Sequence, residues 1–118
     1  MSYKVLIVTV KRFDKEIKRL SKKYRSLKND YANLIKELEE NPEKGIDLGD
    51  GLRKIRMAIK SKGRGKSGGA RVITYTDIII NVSERKIYLL YIYDKSEIDT
   101  ISKNELLEIL KEELKSKE

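Results

Sequence analysis

The middle of this sequence carries a concentrated run of positive charge. Of the 27 lysines and arginines, eight lie between Leu52 and Arg71 with no acidic residue among them, and the other 19 balance 19 aspartates and glutamates. Clustered cations displace counterions from phosphate backbones, so this run predicts one surface that faces a polyanion. A solvated face kept for solubility usually mixes signs. The eight residues are Arg53, Lys54, Arg56, Lys60, Lys62, Arg64, Lys66 and Arg71.

The sequence contains no histidine and no cysteine, which limits the chemistry available to it. Proton transfer must use lysine, arginine, tyrosine or carboxylates, and disulfides and thiolate metal sites are excluded. No carboxylate pair or ligand cluster has the spacing of a metal site. We therefore expect no metal and no cofactor, and the lack of cysteine favours a reducing compartment, the cytoplasm.

The glycine-rich segment 63–68 imitates two nucleotide-binding motifs. It satisfies G-x-G-x-x-G, but that fingerprint should follow a strand and open a helix, whereas a strand is predicted to follow here. Gly65-Lys66-Ser67 also resembles the end of a P-loop, yet Lys60 stands where the first glycine of that motif belongs. The segment is therefore interpreted as a flexible cationic loop.

Tyr91 and Tyr93 are the aromatic residues placed to act with these cations. Strand alternation puts both on the same side, and they can be ordinary sheet tyrosines or can share the face of Lys54 and Arg56. A phenol there can stack on a base or exchange a proton with a ribose hydroxyl. Neighbouring cations such as Lys95 are expected to lower its pKa.

The elements that position these residues follow from apolar periodicity. Residues 3–10 have the β-branched content of a strand, and two amphipathic helices begin near Phe13 and after Ser26. Asn41-Pro42 ends the second helix, because proline disfavours helical geometry at the preceding residue. The segment from Gly45 to Gly51 is predicted to be a loop.

Four further elements complete the predicted fold. Residues 52–59 alternate strictly between apolar and basic side chains, and strands at 70–82 and 86–93 flank a turn at 83–85. Ser102 and Glu105 form a capping box before a helix with a leucine stripe. The order β-α-α-β-β-β-α predicts an α+β fold: a small antiparallel sheet with helices on one face and the cation row on the other.

The length fits one domain, residues 1–118. No apolar run approaches the roughly 20 residues that span a bilayer, so no membrane association is expected. The leucine stripe of the last helix is predicted to be core, with a groove or dimer face as the alternative.

Three stretches of the sequence together resemble the RelE/HigB family of bacterial toxins, most closely its HigB-like branch. The resemblance spans nearly the whole chain, and the loop pattern Gly-Lys-x-Gly-Gly-x-Arg is its most distinctive part. It rests on Leu52-Arg53-Lys54-Ile55-Arg56-Met57, on Lys62-Gly63-Arg64-Gly65-Lys66-Ser67-Gly68-Gly69-Ala70-Arg71-Val72-Ile73, and on Tyr91-Ile92-Tyr93-Asp94-Lys95-Ser96-Glu97.

The resemblance implies a RelE-like fold and an mRNA interferase that cleaves mRNA in the ribosomal A site and is neutralised by a cognate antitoxin. By position, Lys54 and Arg56 match the strand cations of RelE-like toxins, Arg71 the arginine after the glycine turn, and Lys95 the basic residue after the last strand. Ile101 stands where RelE has its C-terminal tyrosine, so Tyr93, Tyr91 or a loop lysine must substitute.

The predicted site residues therefore fall into two groups. Arg71 is the candidate phosphate clamp and Lys54 the candidate base, because cations aimed at the phosphorane oxygens stabilise the transition state. The catalytic group is Lys54, Arg56, Arg71, Tyr93 and Lys95; the RNA-binding group is Arg53, Lys60, Lys62, Arg64, Lys66 and Tyr91.

Two other functions are compatible with the sequence. A ParE-like toxin would share the fold and inhibit DNA gyrase, but it would not need a concentrated cation row. A plain RNA-binding module would bind phosphates without cleavage. The antitoxin is expected to bring an acidic segment, or a helix or strand, over the basic sheet.

Overall fold

The computed structural model describes residues 4–63, 65–77 and 84–115. Three helices and five strands make an α+β fold, with a single five-stranded sheet in the order β1-β5-β4-β3-β2. The elements are β1 (Lys4–Thr9), α1 (Lys11–Lys23), α2 (Leu27–Glu40), β2 (Ile46–Gly49), β3 (Leu52–Met57), β4 (Ala70–Thr76), β5 (Glu84–Asp94) and α3 (Lys103–Lys115).

The sheet is mixed, so the prediction of an antiparallel sheet is wrong at one edge. β2, β3, β4 and β5 pair antiparallel in succession, but β1 pairs parallel to β5 over Lys4–Thr9. A parallel neighbour requires a long crossover connection, and here the whole chain between β1 and β5 supplies it. The sequence of β1 does not indicate which strand of the sheet it pairs with.

The segment predicted to be a loop between Gly45 and Gly51 contains β2, which is a correction. Ile46 pairs with Lys54 and Asp47 with Arg53, and a register shift follows Asp47. The connecting residues Gly49, Asp50 and Gly51 all have positive φ, which glycine adopts without strain. Asp50-Gly51 is a common hairpin signal, but four residues rich in Gly and Asp are too few to show strand alternation.

The boundaries of β3 and β5 also differ from the prediction. β3 ends at Met57 instead of Ile59, and a 3-10 turn at Lys60–Lys62 opens the glycine-rich loop. Glu84 and Arg85, predicted to be in a turn, are the first residues of β5. The predicted strand at 70–82 is observed as far as Thr76; its residues 78–82, and Ser83 of the predicted turn, lie outside the described residues.

The helices agree with the sequence pattern. α1 and α2 are joined at residues 24–26, and α2 ends at Glu40, immediately before Asn41-Pro42. Before α3, the Glu105 N–H donates to Ser102 Oγ at 3.2 Å, which is one half of the predicted capping box. Among the described residues, no helix is long and apolar enough to cross a membrane.

The sheet separates two layers of helix. Asp94 on β5 contacts Tyr24 and Lys23 at the end of α1, so α1 packs on the face of β5 that carries Asp94. Leu52 and Ile73 lie on the opposite face and are fully buried. We assign their cover to α3, which contributes buried Leu106 and Ile109, so the helices do not all lie on one face.

Candidate nucleic-acid interface and active site

Strand register brings the predicted cations and tyrosines onto one sheet face. Arg56 pairs with Arg71, which pairs with Tyr93 on the next strand. In the adjacent row, Lys54 and Tyr91 flank the same β4 residue. Directly paired residues of antiparallel strands project to the same side. The two tyrosines therefore lie on the face of Lys54 and Arg56, which is one of the two placements that the sequence left open.

Within the part of the chain that the structure describes, four of the eight predicted cations have side chains without a partner. Lys54, Arg56, Lys60 and Lys66, the unpaired cation set, make no ion pair and no side-chain hydrogen bond among residues 4–63, 65–77 and 84–115. Their charge is not neutralised within the described part of the fold. The set is therefore available to an external anion.

The unpaired cation set surrounds two adjoining clefts. The smaller cleft, about 230 Å³, is lined by Lys54, Arg56 and Lys66 together with the start of β2. The larger cleft, about 400 Å³, lies between α2 and the glycine-rich loop and is lined by Arg56, Lys60 and Lys66. Arg56 and Lys66 line both clefts, so an anion held between these two cations has a cleft on either side.

Lys44, which the sequence did not indicate as a site residue, also lines the smaller cleft. Its Nζ lies 3.0 Å from Oε2 of Glu37. The pairing of Ile46 with Lys54 brings Lys44 beside the cation row. Because that pairing depends on β2, which was predicted to be loop, the sequence held no signal for this position.

Two of the predicted RNA-binding residues are engaged in structural contacts. Arg53 donates from Nη1 to the Glu43 carbonyl at 2.8 Å, and Lys62 donates from Nζ to Asp94 Oδ1 at 2.9 Å. The Lys62 side chain is 10% exposed. The prediction that all eight cations share one surface is therefore wrong for Arg53 and Lys62. Arg64 lies outside the described residues.

Arg71 is hydrogen-bonded to the backbone of the glycine-rich loop. Its residue exposure is 6%, and its Nη1 and Nη2 donate to the carbonyls of Lys66 at 2.9 Å and Ser67 at 3.2 Å. The planar guanidinium fork can reach two successive carbonyls, which an ammonium cannot do as well. Arg71 therefore fixes the backbone that carries the Lys66 side chain and places a buried positive charge beneath it.

Tyr93 is buried and Tyr91 is partly buried, and the pKa values of both phenols are raised. Burial raises the pKa of Tyr93, the Arg71 charge lowers it by less, and Tyr93 is 2% exposed. Burial also raises the pKa of Tyr91, and the carboxylate of Glu16 adds to this. The prediction that neighbouring cations lower these pKa values is wrong, because desolvation of the phenolate outweighs the attraction of the cations.

Lys95 forms the turn after β5. Its Nζ donates to the backbone carbonyl of Asp99 and lies 3.2 Å from the Asp99 carboxylate, while its N–H donates to the Gly69 carbonyl at 3.0 Å. At Gly69 itself, an added Cβ would lie 2.2 Å from the Met57 carbonyl oxygen, so only glycine fits. Lys95 thus ties the end of the loop to β5 by its backbone.

The start of the loop is fixed by the first turn of α2. Asp30, which is buried, accepts from the Lys60 N–H at 3.1 Å, and Ser26 Oγ accepts from the Ser61 N–H at 2.8 Å. Ser26 Oγ donates in turn to Asp30 Oδ2 at 2.7 Å. The loop that carries Lys60 and Lys66 is therefore anchored at both ends.

A second charged cluster lies on the opposite face of the sheet and was not predicted. Asp94 is 0% exposed and accepts from Tyr24, from Lys62 and from Ser96. Burial alone would raise the pKa of Asp94, but these hydrogen bonds more than offset it and hold the pKa well below its usual range. This cluster connects α1, the loop and β5.

The cluster continues to the protein surface at Glu97. Arg19 donates from both terminal nitrogens to the two Glu97 oxygens, at 3.0 and 2.6 Å, and Lys23 Nζ lies 2.9 Å from Oε2. These hydrogen bonds lower the pKa of Glu97 to about 2. We call the residues Arg19, Lys23, Tyr24, Lys62, Asp94 and Glu97 the paired network.

The fold and the site define a small α+β protein with a mixed sheet, one face of which presents unpaired cations beside an anchored loop. Residues 10–116 match the model of the family described as the RelE toxin of the RelE/RelB toxin-antitoxin system. The chain belongs to this family and is a toxin of a toxin-antitoxin system. Toxins of this family are generally endoribonucleases, and a cognate antitoxin is the implied partner.

Proposed function

We propose that this toxin is a ribosome-dependent mRNA interferase of the HigB-like branch, which cleaves mRNA in the ribosomal A site and so inhibits translation. The observation that carries the proposal is the unpaired cation set around two clefts that share Arg56 and Lys66. An RNA strand presents one phosphate per nucleotide, and cations held without carboxylate partners are suited to bind it.

The proposed reaction is attack of a ribose 2′-hydroxyl on the adjacent phosphate: the O2′–P bond forms as the P–O5′ bond breaks, the general base takes the hydroxyl proton, and a protonated side chain gives a proton to the departing 5′-oxygen. Negative charge develops on the phosphorane oxygens, and Lys54 and Arg56 lie one strand repeat apart, about 7 Å along β3, to stabilise it. Because the Lys66 carbonyl is fixed by Arg71, the loop cation is held ready before RNA binds. Such preorganised charge stabilises the transition state more than the ground state.

The general base is proposed to be a lysine. Burial raises the pKa values of Tyr91 and Tyr93 and so disfavours the phenolate that would act as the base. Their phenols are therefore poor bases, and Tyr93 has almost no exposed surface. Lys54 is our candidate base, and Arg56 takes over the part of phosphate clamp that the sequence suggested for Arg71.

The remaining features of the proposal follow from this chemistry. The reaction is proposed to be metal-independent, because side-chain cations supply the charge that a metal would bring to the phosphorane. One toxin domain over residues 1–118 is proposed, since the family match extends over 10–116. A ribosomal substrate would place the toxin in the cytoplasm.

The antitoxin is proposed to neutralise the toxin by covering the unpaired cation set with an acidic segment. Four unpaired cations grouped around two clefts favour an acidic partner, which also prevents stray RNA binding. A complex that left Lys54, Arg56 and Lys66 open would show that the antitoxin acts by another route.

Message cleavage in a translation reaction tests the proposal. The wild-type toxin should cut ribosome-bound message, and Lys54→Ala should lose on the order of 10²-fold in rate while its unfolding curve stays unchanged. Lys18→Ala is the matched control, because Lys18 is an exposed lysine on α1, away from both clefts. Message incubated without ribosomes should stay intact.

The same reaction separates the alternatives. Intact message together with stalled DNA gyrase would support a ParE-like toxin. RNA binding without any cleavage, either with or without ribosomes, would support a non-catalytic RNA-binding module. Cleavage of free message at the ribosome-bound rate would retain an endoribonuclease but remove the requirement for the ribosome.

A further inference from the structure

We propose that the larger cleft binds a nucleobase of the message and that Glu40 selects bases with an exocyclic amine. The inference rests on the proposed function, because it gives the substrate of the same site a position and a specificity. The volume of the larger cleft, about 400 Å³, falls within the ~300–1,000 Å³ typical of small-ligand sites, whereas the 230 Å³ of the smaller cleft does not.

The cleft has cationic, apolar and polar lining, which can bind the phosphate, the ring and the polar edge of a nucleotide. Arg56, Lys60 and Lys66 line the side next to the scissile phosphate. Leu34 and Met57, both largely buried, contribute apolar lining against which a base can pack. The opposite side is polar and belongs to α2. A phosphate held by Arg56 and Lys66 therefore has an apolar and a polar surface within one nucleotide of it.

The polar wall is a stripe along α2. Asn33, Glu37 and Glu40 are spaced four and three residues apart, so they follow one face of the helix. Lys36, four residues before Glu40, also lines the cleft from α2. Glu37 is engaged by Lys44 at 3.0 Å. The side chains of Asn33 and Glu40 make no hydrogen bond or ion pair within the described parts of the chain. Within the described residues, Glu40 is thus the unpaired carboxylate of this stripe, beside the unpaired amide of Asn33.

The position of Glu40 is unfavourable for the helix that carries it. The C-terminal end of a helix carries partial negative charge, so a carboxylate there is destabilising. The last turn of α2 has no basic residue to compensate. The Glu40 carboxylate therefore destabilises α2 while it lines the cleft. Residues that are unfavourable for their own element are often found at functional sites.

The chemistry of a free carboxylate defines the bases it accepts. A carboxylate only accepts hydrogen bonds, and acidic side chains pair with the exocyclic amine of cytosine. Adenine and guanine also present an amine on their base edges, whereas uracil presents carbonyl oxygens on either side of its ring N–H. Glu40 therefore favours cytosine, adenine or guanine over uracil at the position that enters the cleft.

Mapping of cut sites in Glu40→Lys tests the inference. A message library is cleaved on ribosomes by wild-type toxin and by Glu40→Lys, and the 5′ ends are sequenced. The introduced ammonium would donate to carbonyl oxygens, so the preference against uracil at one position relative to the cut should fall about tenfold or reverse. Glu39→Lys is the matched control, because Glu39 is exposed, the substitution makes the same charge change in the same turn, and Glu39 does not line the cleft.

The outcomes distinguish the two proposals. An unchanged base distribution in a Glu40→Lys toxin that still cleaves would overturn the assignment of Glu40, as would an equal change in Glu39→Lys, which would indicate a long-range charge effect. Glu40→Gln repeats the test without reversing charge, and it should weaken the preference by a smaller factor. Absence of cleavage by the wild-type toxin would instead overturn the proposed function.

Discussion

Lys54 and Arg56 of the unpaired cation set and Asp94 of the paired network lie on opposite faces of one sheet, and the two groups use the same residue types for different purposes. In the paired network every cation contacts a carboxylate: Arg19 and Lys23 bind Glu97, and Lys62 binds Asp94. In the unpaired cation set, Arg56 and Lys66 contact none among the described residues. Composition cannot separate the two, because both include residues of the same basic run.

Under the proposed function, pairing and not charge density decides which cations are available to RNA. Lys60 and Lys62 are two residues apart, yet Lys62 is bound to a buried carboxylate and Lys60 lines an open cleft. Paired cations stabilise the fold, and unpaired ones are available for binding. Substitutions in the paired network should therefore lower the free energy of unfolding, and substitutions in the unpaired cation set should lower cleavage or RNA binding. The expected effects range from a hundredfold in cleavage rate to a small change in the salt dependence of RNA binding.

Arg71 belongs to neither region, but it holds the loop that carries Lys66, so its loss should have the largest effect. Arg71→Ala should lower cleavage of ribosome-bound message by a hundredfold or more and should reduce the free energy of unfolding by about 2 kcal/mol, because the loop carbonyls lose their donors. Cleavage assays and denaturant unfolding measure the two effects. Arg71→Lys keeps the charge but not the fork and should recover part of each; wild-type cleavage by Arg71→Ala would contradict the account.

Asp94 should matter for stability far more than an exposed aspartate does. Asp94→Asn breaks a buried ion pair and should lower the free energy of unfolding by about 3 kcal/mol in urea. Asp99→Asn is the matched control, because the Asp99 side chain is 95% exposed and its pair with Lys95 is worth less than about 1 kcal/mol. Equal losses in the two variants would show that the paired network adds no stability.

Acid should weaken the paired network through Glu97. Since the folded pKa of Glu97 is lowered to about 2 from an ordinary 4.5, its contribution is complete above pH 4.5 and is lost as the pH falls towards 2. Urea unfolding between pH 6 and 2.5 should show this loss, and Glu97→Gln should flatten the curve by less than about 1 kcal/mol. A curve identical in the variant would exclude Glu97 as a contributor.

Removing one unpaired cation should change the salt dependence of RNA binding. For a single-stranded oligonucleotide, the slope of log K against log salt should fall by about 0.7 in Lys66→Ala, as expected for one phosphate contact. Lys22→Ala, which removes an exposed lysine of α1, should leave the slope unchanged. The same slope in both variants would mean that Lys66 does not contact phosphate.

Much of the fold could be predicted from the sequence because its signals are local. The two amphipathic helices, the stop at Asn41-Pro42 and the alternation of Ile55 and Met57 with Lys54 and Arg56 are confirmed. β2 and the parallel β1 were missed, since strand pairing depends on distant residues. A short Gly- and Asp-rich strand lacks the alternation on which the prediction depends.

For the candidate site, the sequence indicated a cationic face but not which of its cations are unpaired. The charge run indicated the face, and strand alternation indicated Lys54 and Arg56. The partners that occupy Arg53, Lys62 and Arg71 are backbone carbonyls or a carboxylate brought from other elements. Such partners leave no mark in the spacing of the cations themselves, so the sequence could not show which would stay free.

A comparison of Arg56→Ala with Arg19→Ala is the most direct test of the central claim, because each variant removes one guanidinium, unpaired in the first case and paired in the second. We expect Arg56→Ala to lose a hundredfold or more in cleavage of ribosome-bound message with unchanged stability. Arg19→Ala should cleave within about twofold of wild type and unfold more easily by up to about 1 kcal/mol. Near-wild-type cleavage by Arg56→Ala, or equal loss of cleavage in both variants, would contradict the claim that the unpaired cations act in cleavage and the paired ones in stability.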